Sequence, residues 1–271
     1  MLSPLVVVAR TPKNNCRECG YPSCLAFGAA VAATGVDPHR CPYINLEGLE
    51  LPVAGVRLEE ASRQRDLALV EHLKSKIASA DFAALAPRLG ATWQAAEPDA
   101  LCFAYLGQEV SLGKDRILID GREPEDPRDQ ILLYNYGHSG GGAEPTGEWL
   151  GLESLPNSLA KVRTLATYCE QPLARLFDSL PPAQLTGAVA AAGGRVISNP
   201  AASLTCIFAV LPRLPQQVIF WAAEPEDGFE ARVKVLFDPG VLGYLDIESL
   251  VFSGERLAER LASLLAATPK V

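Results

Sequence analysis

The spacing of hydrophobic positions changes several times along this 271-residue chain. Leu69, Val70, Leu73 and Ile77 recur at helical intervals among Glu, Arg and Lys, which predicts an amphipathic helix between Val56 and Asp81. From Leu101 to Asp120 the chain alternates and is punctuated by glycine, the pattern of a small antiparallel meander. Asp129 to Tyr136 reads as a helix running into a loop, Gly137-His138-Ser139-Gly140-Gly141-Gly142, expected to be mobile when empty. Helices are expected from Ser158 to Ser179 and from Pro182 to Ala192, the second opening on a proline and stopped by Gly193-Gly194. Leu204 to Leu211, Gln217 to Ala222 and Ala231 to Phe237 are rich in Val, Ile and Phe and predict a second meander. Leu250, Leu257, Leu261, Leu264 and Leu265 mark a closing helix from Ile247 to Ala267. The short apolar run Pro4 to Ala9 is expected to be a strand.

These elements define an α+β protein, with a small N-terminal unit at residues 1–50 and a larger unit of antiparallel sheet and helices at 57–271. A proline-bearing linker near residues 50–56 separates them. Meanders on either side of a helical middle hint at two related halves, although no repeat of fixed period is present.

Composition adds exclusions. With 48% hydrophobic and 21% charged residues the chain can bury a substantial core. A net charge of -8 and a pI near 5.0 argue against a surface built to neutralise phosphates, so nucleic acid is not an expected partner. No apolar run reaches eighteen residues, and the opening run lacks a basic leader, so a membrane span and a signal peptide are not expected. The expected location is the cytoplasm.

Four of the 7 cysteines crowd into 26 residues, spaced Cys16-x2-Cys19-x4-Cys24-x16-Cys41 with Pro42 directly after the last. The odd count, the chain length and this clustering favour a metal site over disulfides. A cubane iron-sulfur cluster needs four converging thiolates, which one tight loop and one return of the chain can supply. The segment from Pro22 to Thr34 would form the intervening helix, its first N–H groups aimed at the anionic cluster. Gly20 lets the loop bend, Gly35 can end the helix, and Pro38 to Cys41 closes the site. Zinc is the alternative, since four cysteines also suit a tetrahedral ion.

The run Asn15-Cys16-Arg17-Glu18-Cys19-Gly20-Tyr21-Pro22-Ser23-Cys24-Leu25-Ala26-Phe27, with Cys41-Pro42-Tyr43 later, resembles the small 4Fe-4S domain family. That domain occurs in the large subunit of the corrinoid iron-sulfur protein and in electron-transfer subunits of the Rnf type. The resemblance covers about the first 45 residues and implies one 4Fe-4S cluster on Cys16, Cys19, Cys24 and Cys41. The remainder, notably Leu236-Phe237-Asp238 leading into Tyr244-Leu245 and Glu248, resembles an uncharacterised domain often fused to this cluster domain in anaerobic bacteria and archaea.

A cluster with four protein thiolates has no open iron site, so the expected role is one-electron transfer in anaerobic metabolism, with a redox partner protein. Lys13, Arg17 and Arg40 near the ligands would favour the reduced state. The alternative is a module that binds a corrinoid or other tetrapyrrole, with His138 as its ligand and the cluster as its reductant or as structure. Asp238 and Glu248 could act as an acid and base pair, but turn chemistry and capping by Asp246 account for the same residues, so whether the chain is an enzyme stays open. Cys102 and Cys206 read as small buried hydrophobes, His39 as solvent-exposed and His72 as a structural helix residue.

Overall fold

The computed structural model describes residues 3–34, 36–47, 56–96 and 98–267. Two compact units, Met1–Ala68 and Leu69–Val271, divide the chain. The expected linker falls almost wholly on residues 48–55, and Gly35 on its own, outside the described residues.

In the first unit, Pro4–Ala9 is a helix (α1), not the expected strand. The β-branched run made a strand plausible, but local signals favour the helix. Ser3 caps it by accepting from the Val6 N–H at 3.3 Å, and Pro4 occupies the first turn, where a missing N–H costs nothing. Packing then overrides propensity, because Val7 is fully buried in a small core with Phe27, Val31 and Cys41.

The second helix, α2, spans Cys24–Thr34 and so starts two residues later than expected. Ser23 accepts from the Ala26 N–H at 3.1 Å and Asn15 Oδ1 from the Cys24 N–H at 2.9 Å, which satisfies two of its first amides. Helices α1 and α2 touch at Gly28, where a Cβ would lie 2.7 Å from Pro4 O and 2.8 Å from Val8 Cγ2. Gly28→Val should therefore prise α1 from α2 and cost roughly 1–3 kcal/mol, read as a lowered denaturation midpoint. A 3₁₀ turn, Pro38–Arg40, delivers Cys41, and Asp37 caps it by accepting from His39 N at 2.9 Å.

The long helix α3 (Val56–Ile77) leads into the larger unit. There α4 (Phe82–Leu89) precedes a four-stranded sheet of β1 (Thr92–Gln94), β2 (Ala100–Tyr105), β3 (Gln108–Leu112) and β4 (Ile117–Ile119), paired antiparallel in chain order. Next come α5 (Pro127–Ser139), β5 (Leu150–Gly151), α6 (Leu159–Leu165), a π-helical turn at Ala166–Glu170, α7 (Gln171–Asp178) and α8 (Pro182–Ala191). Strands β6 (Gly194–Ile197), β7 (Leu204–Leu211), β8 (Leu214–Trp221) and β9 (Arg232–Phe237) complete an antiparallel sheet in the order β5-β9-β8-β7-β6, and α9 (Ile247–Ala267) closes the chain. The α+β expectation holds, with both meanders where the alternation placed them.

One continuous core joins the two sheets to the helices, with Leu101, Val110, Phe208, Val235, Phe237, Leu250 and Leu257 among its members. At the junction of the sheets, Leu106 N–H donates to Val210 O at 3.1 Å. Beside it Gly107 (φ +76°) comes so close to Ala191 O that a Cβ would sit 2.2 Å away. Gln216 on β8 is wholly buried, and its Nε2 donates to Ser253 Oγ at 2.5 Å, which ties α9 to the sheet.

The expected loop at Gly137–Gly142 needs correction. Gly137 and His138 belong to α5, because Gly137 serves packing: a Cβ there would meet Ile77 Cδ1 at 2.7 Å and Leu112 Cδ2 at 2.8 Å. The chain turns only at Gly140 and Gly141, both with positive φ. The segment beyond is pinned, since buried Asp238 accepts from Thr146 Oγ1 at 2.9 Å and from Gly147 N–H at 2.8 Å.

Candidate metal centre

Between α1 and α2 the loop that carries Cys16 and Cys19 has an unusual backbone. Lys13, Asn15 and Arg17 all take positive φ values of +58°, +51° and +67°, and Gly20 follows at +83°. Three non-glycine residues in the left-handed region within five positions mark a strained segment. Alternation of left-handed residues with their neighbours turns successive N–H groups to one side, forming a concavity that suits an anion.

Cys24 Sγ sits in that concavity. The Thr11 hydroxyl, then the N–H groups of Asn15, Lys13 and Asn14, hold its thiol below the ordinary range, against burial that pushes it up. Thr11 has a single hydroxyl proton and its Oγ1 also donates to Val8 O at 2.8 Å, so the three amides are the steadier source of this effect. Asn14 Oδ1 accepts from the Cys16 N–H at 3.3 Å and Gly20 N–H donates to Arg17 O at 2.9 Å, which fold the loop back on itself.

Cys16 is exposed, Cys19 half-buried, and Cys24 and Cys41 buried. Cys41 belongs to the core of Val7, Phe27 and Val31, and Cys19 packs against that same core. The four sulfurs thus come from the loop, the first residue of α2 and the end of the 3₁₀ turn. Among the described residues, no three His, Cys, Asp or Glu side chains form a group that could hold a metal ion. Cysteine sulfurs are nonetheless the donors that an iron-sulfur cluster takes, and here they lie beside a loop whose N–H groups hold the Cys24 thiol low.

The neighbours are ordered. Tyr43 OH donates to Glu18 at 2.9 Å and 3.1 Å, and that carboxylate raises the phenol above its usual range. His39, exposed as expected, has Nδ1 2.9 Å from Asp37 Oδ1.

His138 lies exposed in the last turn of α5. It lines none of three cavities of the larger unit: about 460 Å³ between Gln94 and Leu118, about 470 Å³ around Arg175 and Phe229, and about 250 Å³ beside Trp221. Asp238 and Glu248 are committed separately, Asp238 to the glycine segment and to Gly240 N–H at 2.9 Å, Glu248 to an ion pair with Lys161. Asp246 caps α9 as expected, accepting from Ser249 N–H at 2.7 Å. Cys206 and Cys169 are wholly buried, whereas Cys102, expected inside, is half-exposed on a sheet face beside Ser111. His72 is exposed on α3.

Sequence reasoning missed a polar cluster in the larger unit. Arg256 donates to Asp129 Oδ1 at 2.8 Å and Oδ2 at 2.7 Å and to Asp126 at 2.9 Å, while Tyr105 OH donates to Asp129 at 2.7 Å. Arg128 also pairs with Asp126 at 2.6 Å and Glu259 at 3.0 Å. The partners stand up to 131 positions apart, so no local spacing could reveal them.

Comparison with known proteins now fits this geometry. Residues 12–43 match the family described as "Putative Fe-S cluster". The chain is 41% identical over 44 residues to the corrinoid/iron-sulfur protein large subunit of Moorella thermoacetica, covering 16% of this chain and 10% of that protein. It is 35% identical over 49 residues to the acetyl-CoA decarbonylase/synthase complex subunit gamma of Methanocaldococcus jannaschii, covering 18% and 10%. The chain thus spans about a tenth of the length of these curated relatives. No solved structure matches it. Motif, loop and relatives together define an iron-sulfur protein. Residues 81–260 match a second model, and the chain belongs to that family, described as "Domain of unknown function (DUF3786)".

Proposed function

We propose that Cys16, Cys19, Cys24 and Cys41 hold one 4Fe-4S cluster and that the protein passes single electrons through it. The observation that carries this reading is the amide concavity around Cys24, built at the cost of three left-handed non-glycine residues. A cluster bound by four thiolates is anionic and has no open iron, so it supplies one-electron chemistry and no substrate site. This chain's part is to hold the thiolates, lend N–H groups to the cluster's negative charge and keep one edge, at Cys16, next to solvent. One matched relative bears a corrinoid name, but the match covers a tenth of that protein, so the reading rests on the cluster alone.

Anaerobic purification with iron, sulfide and zinc analysis, followed by electron paramagnetic resonance before and after dithionite, tests it. The expected result is about four irons and four sulfides per chain and a signal that appears on reduction. One zinc without sulfide overturns the reading, and a full cluster that resists reduction leaves a structural one.

A further inference from the structure

We infer that the cavity beside Trp221 is a binding site for an alkyl polyamine, a flexible aliphatic chain that carries several ammonium groups. The site belongs to the larger unit and does not depend on what the cysteines hold.

It is built on the turn between β8 and β9. Glu224 N–H donates to Phe229 O at 2.9 Å and Phe229 N–H donates to Glu224 O at 3.1 Å. The two residues are therefore directly opposed, and their side chains leave the same face of the hairpin. Asp227 N–H donates to Glu224 O at 3.1 Å, and Gly228, at φ +76°, closes the tip. At the base, Ala223 N–H donates to Asp178 Oδ1 on α7 at 3.1 Å, and Trp221 Nε1 donates to Ala201 O at 2.7 Å. The hairpin is thus held in place before any ligand arrives, which lowers the ordering cost of binding.

The cavity, of about 250 Å³, is lined by Trp221, Ala222, Glu224, Phe229, Glu230 and Arg232. Its walls combine two aromatic rings with two carboxylates. Phe229 is 66% exposed, so most of its ring is left open. Trp221 already attracts a cation, since the Arg232 guanidinium lies 4.2 Å from its ring centroid. Charge points the same way. Residues 222–232 hold four acids (Glu224, Glu226, Asp227, Glu230) against one cation (Arg232), a net of -3. Across the hairpin, Arg175 and Asp178 line the neighbouring cavity and cancel each other. The four carboxylates are exposed and form no ion pair among the described residues. An anionic ligand would be repelled here, and a bare metal ion would leave the rings unused. An alkyl polyamine uses both wall types: its ammonium groups pair with carboxylates and face the rings, and the methylenes between them cover apolar surface.

Isothermal calorimetry of the full-length protein, purified anaerobically with its iron and titrated with spermidine, tests this. The expected result is saturable binding with Kd below about 1 mM at about 0.05 M ionic strength. Phe229→Ala removes no charge and should weaken binding at least about threefold, by loss of a ring that faces the cation. Glu224→Gln/Glu230→Gln should weaken it about tenfold. Arg232→Ala should tighten it at least about threefold, because Trp221 is vacated and a repelling charge is gone. Glu109→Gln/Glu148→Gln, which removes the same charge on β3 and before β5, should change it less than about twofold. All five positions altered in the hairpin and the control are exposed, so the variants should fold as the unaltered chain does. No saturable binding, an affinity unchanged by Phe229→Ala, or a control pair that weakens binding as much as the Glu224/Glu230 pair overturns this inference and leaves the electron-transfer reading untouched.

Discussion

Cys24→Ser should leave the purified chain with less than about one iron, down from about four, while Cys206→Ser keeps the full complement. The argument begins with the backbone. Left-handed conformations at Lys13, Asn15 and Arg17 each work against folding, by about 1–3 kcal/mol for a strained residue. Their product is a set of amides around one sulfur, and that sulfur belongs to Cys24. A serine hydroxyl in its place offers no thiolate to iron and leaves the amides facing a weaker acceptor. Cys206 is different, since it is wholly buried on β7 and burial alone pushes its thiol up to about 12, so it behaves as a small hydrophobe. Iron and sulfide analysis with the absorption spectrum reads both variants. A Cys24→Ser chain with undiminished iron would remove Cys24 from the ligand set, and with it the reason for the strained loop.

What the sequence made legible followed from how local the cause was. The spacing of Cys16, Cys19, Cys24 and Cys41 needs no tertiary knowledge, and strands β7 and β9 carry dense Val, Ile and Phe. Helix α9 declares itself through its leucine spacing, and its observed bounds are those expected. The readings that shifted depended on contacts from elsewhere. Pro4–Ala9 has strand-forming residues but becomes a helix because Val7 must meet Phe27. Gly137 looks like a loop residue until Ile77 and Leu112 are seen to occupy the space a side chain would need. Strands β1, β5 and β6 have between two and four residues, too few to display a period. At the candidate site the cysteine spacing was legible, but the amide concavity was not, because Lys13, Asn15 and Arg17 are ordinary residues in an uncommon conformation.

The other large effect is expected far from the cysteines, at Arg256. Its guanidinium bridges Asp129 and Asp126 at the start of α5, and Tyr105 OH completes the coordination of Asp129, which is 6% exposed. Arg256→Ala leaves the Asp129 carboxylate buried with one neutral donor, and breaking a buried ion pair in this way costs about 3–5 kcal/mol. For a unit of this size each kcal/mol lowers the melting temperature by about 2–4 °C, so the variant should melt roughly 6–20 °C lower. Arg256→Leu combined with Asp129→Leu should recover part of that loss, because the pair's removal leaves no charge stranded, although the buried Tyr105 hydroxyl loses its acceptor. Acid provides an independent check. Burial pushes the Asp126 carboxyl up, but hydrogen bonds from Arg128 and the charge of Arg256 outweigh it and hold the group below the usual carboxylate range. A lowered folded value contributes stability in full above the unfolded value of about 3.9 and loses it as the pH falls through the lower one. The Arg256→Ala chain, deprived of one of those cations, should therefore lose less stability between about pH 4 and pH 2 than the unaltered chain does. Equal losses in that window would mean that Arg128 alone sets the Asp126 proton affinity.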